Sequence, residues 1–147
     1  MSRGLNNKNY LNIKGRGWKG QIGQDSRGHA IFHSSEWGIR AGIVLLRTYW
    51  FKHKLRSIAA ILSRWAPATA TIGSIPGAPP NSPKEYSEFV ATQVGVKPTL
   101  QLSLFHDDGR LNNVRQLKDL FEAMAAYEIG KGFDTPDQEF ERALFLV

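Results

Sequence analysis

NVRQLKDLFEAMAAYEIGKG, residues 113–132, is the stretch on which the fold turns. Leu117, Leu120, Phe121 and Met124 recur at steps of three and four residues. That spacing predicts an amphipathic helix from about Asn113 to Ile129, closed by Gly130. The same steps bring Glu128 to the place where another leucine is expected. A carboxyl group on an apolar stripe loses hydration, so its pKa is expected to rise. A glutamic acid kept protonated near neutral pH can give a proton to a leaving group. Tyr127 precedes it, and Ile129-Gly130-Lys131-Gly132 lets the backbone turn close by. The plainer alternative is a frayed helix end with a solvated Glu128.

Working outward, Thr135-Pro136-Asp137-Gln138 predicts the start of a short last helix. Upstream, Asp107, Asp108 and Gly109 mark a linker. Ser82-Pro83-Lys84-Glu85 predicts a well-capped helix with Tyr86, Phe89 and Val90 facing inward and Gly95 at its end. Residues 66–81, APATATIGSIPGAPPN, read as a Pro/Gly-rich loop. A helix is expected from Ser57 to Trp65, stopping before Pro67. Another is expected from near Glu36, with Ile39, Ile43, Leu46 and Trp50 as its buried stripe. Residues 21–33, QIGQDSRGHAIFH, predict a β-hairpin around the turn Asp25-Ser26-Arg27-Gly28. The opening segment NNKNYLNIKGRGWKG, residues 6–20, carries four asparagines and four basic residues with no acid. It reads as a polar tail or a groove lining rather than a core element. The expected fold class is mainly α (α+β), several helices with one small β-hairpin, in a single domain spanning residues 1–147.

The 147 residues carry a formal net charge of +6, which favours an anionic partner. There is no cysteine, and His29, His33, His53 and His106 lack paired metal-ligand spacing. No metal or cofactor is therefore expected. Met1–Gly20 lacks the apolar core of a signal peptide, and the run Ile39–Phe51 is too short to span a bilayer. Glu36 and Asp25 compete with Glu128 as catalytic carboxylates. An acid in a first helical turn usually complements the macrodipole, and an Asp in a hairpin turn usually shapes the turn.

Six segments in order carry a resemblance: RGLNNKNYLNI, WKG, FHSSEWGIRA, SIAAILSRWAP, EYSEFVATQVGV and AMAAYEIGKG. Together they resemble the lysozyme-superfamily lytic transglycosylases and glucosaminidases, and most of all small phage and prophage muralytic proteins often labelled virion structural proteins. The resemblance covers nearly the whole chain. This chain has NYLNI where those proteins have an NPGNI-type turn, a longer loop after RWAP, and Ile129 where an asparagine follows the glutamate.

The resemblance implies a lysozyme-like fold, circularly permuted, because the helix bearing the acid follows the Asn-rich segment here. It implies Glu128 as general acid facing Asn6, Asn7, Asn9 and Asn12, with Trp18, Tyr86, Tyr10, Trp65 and Tyr127 as candidate contacts to sugar, Trp65 being better read as core. The expected reaction is cleavage of the β-1,4 bond between the N-acetylated sugars of peptidoglycan. If Asp25 or Glu36 reaches the far side of the sugar the enzyme is a muramidase; if neither does, it is a lytic transglycosylase. The implied setting is a virion acting in the host periplasm or cell wall, with other virion proteins as neighbours. Two alternatives remain: a non-catalytic virion or wall-binding protein, and a nucleic-acid binder using Lys8, Lys14, Arg16, Lys19, Arg27 and Arg40. No helix–turn–helix, zinc or RNA-recognition signature supports the latter, and no specific nucleic acid is expected.

Overall fold

A computed structural model describes residues 2–147. Its elements are a single helical turn α1 (Arg3–Asn6), the strands β1 (Gln21–Gln24) and β2 (Ala30–Phe32), then the helices α2 (Ser35–Phe51), α3 (Ile58–Trp65), α4 (Pro83–Val94), α5 (Val114–Ile129) and α6 (Asp137–Leu144). The protein is thus mainly helical with one small antiparallel sheet. The chain divides into two compact units, one joining the N-terminal segment through Leu46 to Met124–Val147, the other being Arg47–Ala123. Helices α2 and α5 are each shared between them.

In the first unit the hairpin pairs Gln21 with Phe32 and Gln24 with Ala30, with an irregularity between Gln21 and Gly23. Its turn is closed by Gly28 donating its N–H to the Asp25 carbonyl at 3.1 Å, and Gly28 takes the left-handed φ of 87° that such a turn requires. The other side of β2 is bonded to the opening segment: the Phe32 N–H donates to the Asn7 carbonyl at 2.9 Å and the Ala30 N–H to the Ile13 carbonyl at 2.8 Å. Asn7, Asn9, Tyr10, Leu11 and Ile13 of the Asn-rich segment are therefore core, which corrects the expectation of a polar tail there, while Asn6, Lys8, Lys14, Arg16 and Lys19 are exposed. Tyr10, Leu11 and Ile13 are buried, and Asn9 is fully buried. What makes this possible is satisfaction of the amides. The Asn9 side chain donates to the carbonyls of Ile13 and Ala30, both at 2.9 Å, and accepts the Ile13 N–H at 2.9 Å. Helix α2 lies against this segment through Gly38, where any Cβ would run into the Lys8 carbonyl. Phe32, Ile39, Ile43, Leu46, Met124 and Phe140 complete the core.

The second unit is assembled from helix faces. Ser57 caps α3 through its hydroxyl, which accepts the Ala60 N–H, and Ser82 does the same for α4 with the Glu85 N–H, both at 3.2 Å. Gly95, at φ 84°, ends α4 as expected. Leu62, Val90, Leu104, Leu117, Leu120 and Phe121 are fully buried. Residues 66–81 are more ordered than a plain loop. They hold a single 3-10 turn at Ile72–Ser74, a bridge between Thr71 and Pro80, and an Asn81 N–H donating to the Ala70 carbonyl at 2.8 Å. Short local bonds of this kind are invisible in a Pro/Gly/Ala composition.

Two local expectations are corrected. The turn α1 was not anticipated, because its RGLN sequence has no periodicity to read; Ser2 supplies its cap by accepting the Leu5 N–H. Thr135 does not cap α6: its side chain is buried with its hydroxyl unpartnered, and Pro136 occupies the cap position.

Candidate active site

Glu128 lies in the last turn of α5, half-buried, directly after a stripe in which Leu117, Leu120, Phe121 and Met124 are fully buried. Its Oε1 accepts a hydrogen bond from the Asn12 side-chain amide at 3.1 Å. The acid at the end of the chain thus meets the Asn-rich segment at its beginning. Gly4 lets them meet: a Cβ there would collide with the Ile129 side chain and come within 2.9 Å of the Asn9 carbonyl. Past the helix the wall opens, since neither Gly130 nor Gly132 has any neighbour in the space a Cβ would occupy. Tyr127 is half-buried alongside.

Asn12 is held in an uncommon state. It has the left-handed φ of 53°, rare for a non-glycine residue, although asparagine tolerates it best. Its amide oxygen is buried and has no hydrogen-bond partner among the described residues. The amide therefore spends its donor on Glu128 and leaves its acceptor unmatched, an arrangement that costs free energy and tends to persist at functional positions.

Asp25 has a different character. Its Oδ1 accepts the backbone N–H groups of Arg27 at 2.8 Å and His29 at 2.9 Å. Its Oδ2 accepts from Asn7 at 2.9 Å, Arg3 at 3.1 Å and His29 Nδ1 at 3.2 Å. Burial pushes this carboxyl up, but the hydrogen bonds from His29, Asn7, Arg27 and Arg3 outweigh burial and hold it well below the usual carboxylate range. His29 is buried, and burial pushes its imidazole down against the pull of Asp25. With its two oxygens accepting from Arg3, Asn7, Arg27 and His29, Asp25 ties the hairpin turn to the opening segment.

Glu36 opens α2 and pairs with Arg142 at 3.2 Å, joining α2 to α6. A second link runs through Tyr10, whose hydroxyl donates to Glu139 at 2.7 Å and bonds the Ser35 hydroxyl at 3.0 Å. Burial raises the Tyr10 phenol to about 12; the Ser35 bond opposes this, and Glu139 adds to it.

The expected sugar contacts sort by exposure. Asn6 is exposed and Asn7 is consumed by Asp25. Trp18 is half-buried, its ring tethered by the indole N–H to the Lys14 carbonyl at 3.1 Å. Tyr86 is 2% exposed and belongs to the core of Arg47–Ala123, so it offers no face for stacking, a correction to the expectation. Arg3 and His29, the partners that fix Asp25, were not anticipated. The only signal for His29 was its place four residues after Asp25.

No described helix is long and apolar enough to cross a membrane. No family model matches the chain. Over 142 residues it is 33% identical to a protein named P5 of Pseudoalteromonas phage PM2, an alignment that spans 90% of this chain and 81% of that protein.

Proposed function

The chain belongs to the family of protein P5 of Pseudoalteromonas phage PM2, and on that premise we propose that it is a phage virion protein that cuts peptidoglycan during host cell-wall penetration or lysis. The proposed reaction is cleavage of the β-1,4 bond between N-acetylmuramic acid and N-acetylglucosamine, with Glu128 as general acid. The observation that carries this reading is the hydrogen bond from Asn12 to Glu128. It joins the acid to the Asn-rich segment across 116 positions of sequence. That juxtaposition is what a circularly permuted lysozyme-like order requires.

In this scheme Glu128 protonates the bridging oxygen as the glycosidic bond breaks, and positive charge develops on the adjoining sugar. Asn12 orients the carboxyl group, and its amide N–H donates the stronger hydrogen bond once the proton has left, since an ionised oxygen is the better acceptor. Asp25 is saturated by donors and Glu36 is paired with Arg142. With neither free to activate water, the reading favours the lytic transglycosylase route, in which the muramic 6-hydroxyl attacks and an anhydro sugar is released. The net positive charge suits an anionic wall.

The test is clearing of purified peptidoglycan by the full chain, followed by mass analysis of the products. Loss of turbidity with anhydromuramic ends is the expected outcome. Reducing ends would move the reading to a muramidase. No clearing, with the chain still sedimenting with the wall, would leave a wall-binding virion protein in its place.

A further inference from the structure

Within the unit Arg47–Ala123, the junction of α2 and α3 carries polar side chains that the Glu128 reading does not use. An open hollow of about 650 Å³ is lined there by Tyr49, His53, Leu55, Ala60, Arg64 and Pro67. That volume lies within the roughly 300–1,000 Å³ of sites for small organic ligands. The chain builds it locally. Helix α2 stops at Phe51, and the link to α3 passes through Lys54 at a left-handed φ of 57°. His53 follows Tyr49 by four residues, and their rings meet edge to face at 6.2 Å. Trp65 meets the same tyrosine ring edge-on at 5.8 Å, and the Arg64 guanidinium lies over it at 5.6 Å. The tyrosine ring is thus wedged in place and buried.

The donors bordering this hollow lack acceptors. Arg64 is exposed and makes no ion pair among the described residues. The Tyr49 hydroxyl makes no hydrogen bond among them; burial raises its pKa and the Arg64 charge opposes that rise. Loss of hydration pushes the His53 imidazole down, and the charges of Arg64 and Lys52 push it the same way. No carboxylate acts on either ring, and residues 47–84 hold six Lys and Arg with no Asp or Glu. Cations near the ends of α2 and α3 complement the helix dipoles. That accounts for Lys52 and Arg64 as charges, but not for an unbonded phenol beside a hollow of this size. A guanidinium with its fork unpaired matches phosphate, to which it donates two parallel N–H bonds. A phenol O–H and an imidazole N–H add further donors.

We infer that this hollow binds an organic phosphomonoester. Its phosphate is held by Arg64, Tyr49 and His53, and its organic body lies over Leu55, Ala60 and Pro67. Inorganic phosphate alone would leave that apolar part of the lining uncovered. The site does not rest on the peptidoglycan reading.

The full chain is titrated by calorimetry with adenosine monophosphate, adenosine, inorganic phosphate and phosphatidylglycerol vesicles, and the His53 ring is followed by NMR. The nucleotide is expected to bind at least about 10-fold tighter than adenosine or inorganic phosphate, and its charge should raise the His53 pKa. Arg64→Gln should weaken the nucleotide roughly 10–100-fold, the worth of a hydrogen bond to a charged group, and Tyr49→Phe about 3–10-fold. Both variants should keep the thermal midpoint. Arg115→Gln, an exposed arginine on α5, is the charge control and should leave binding unchanged. No nucleotide binding, inorganic phosphate binding as tightly as the nucleotide, an unmoved His53 pKa, or an equal loss in Arg115→Gln would each overturn the site. Vesicle binding that is lost in Arg64→Gln, with no binding of the nucleotide, would give these cations to a lipid surface and overturn it as well.

Discussion

In the unit that contains Glu128, residues 2–46 with Met124–Val147, the chain is held by buried amides and charges as much as by hydrocarbon. Asn7, Asn9 and His29 are buried, Asp25 gathers donors from four residues, and Tyr10 reaches Glu139 and Ser35. Arg47–Ala123 is built the other way. Its centre is Leu62, Val90, Leu104, Leu117, Leu120 and Phe121, and its ion pairs, such as Arg110–Asp108 and Arg115–Asp119, are exposed at the surface. A helix face buries itself by periodicity alone. A segment with irregular backbone must instead find a partner for each N–H and C=O, and side-chain amides supply them. The cost of that polar network is repaid if it fixes a carboxyl and an amide in one geometry, as at Asn12 and Glu128.

The largest expected effect sharpens the contrast from the apolar side. Leu104→Ala should cost about 2–5 kcal/mol, the range for a leucine truncated in a close-packed core. Hydrogen exchange should quicken first in peptides from 47–123. If peptides from 2–46 open equally early, the two regions share one core and the contrast fails.

A somewhat smaller effect is expected on the polar side. Asp25→Asn should cost about 1–3 kcal/mol, because Arg3 and His29 lose a charged acceptor inside the fold. The pH dependence carries the sign. Asp25 titrates lower when folded than its ordinary value of about 3.9, so the unfolded state takes up its proton first. Its stabilisation is complete above that value and is lost as pH falls below it. His29, held below its ordinary value of about 6.5, adds a loss of the same sign as pH drops under 6.5. Thermal midpoints measured from pH 7 to pH 3 should fall more steeply for the wild type than for Asp25→Asn. Parallel curves would show that Asp25 does not tie the hairpin turn to the opening segment.

The smallest effect is expected in residues 66–81, where Ile72 is 52% exposed and the bonds are local. Deleting the 3-10 turn and rejoining the bridge should change stability by no more than about 0.5 kcal/mol, the usual range for surface changes. A loss of several kcal/mol would show that the loop is packed structure.

The contrast also explains what could be read in advance. The helices α2 to α5 were found within a few residues, because their apolar spacing and their Ser57, Ser82 and Gly95 signals act locally. The burial of Asn7, Asn9, Tyr10, Leu11 and Ile13 was missed, since a polar composition does not say whether amides are paired to water or to backbone. Glu128 was noticed because it interrupts a periodic stripe, and Asn12 because the Asn-rich segment resembles a known motif. The roles of Arg3 and His29 left no such trace: they depend on contacts to Asp25 that no local pattern encodes. Tyr86 had inward-facing spacing, and its 2% exposure agrees with that spacing rather than with stacking on sugar.

The central claim is that Glu128 is the proton donor, and the rate of wall clearing by Glu128→Gln tests it most directly, with Glu36→Gln measured beside it. A positioned general acid is worth roughly 10²–10⁴-fold in rate. The expected result is a loss of that size for Glu128→Gln with an unchanged or higher thermal midpoint, while Glu36→Gln keeps its rate. Full clearing by Glu128→Gln, or loss confined to Glu36→Gln, would contradict the assignment.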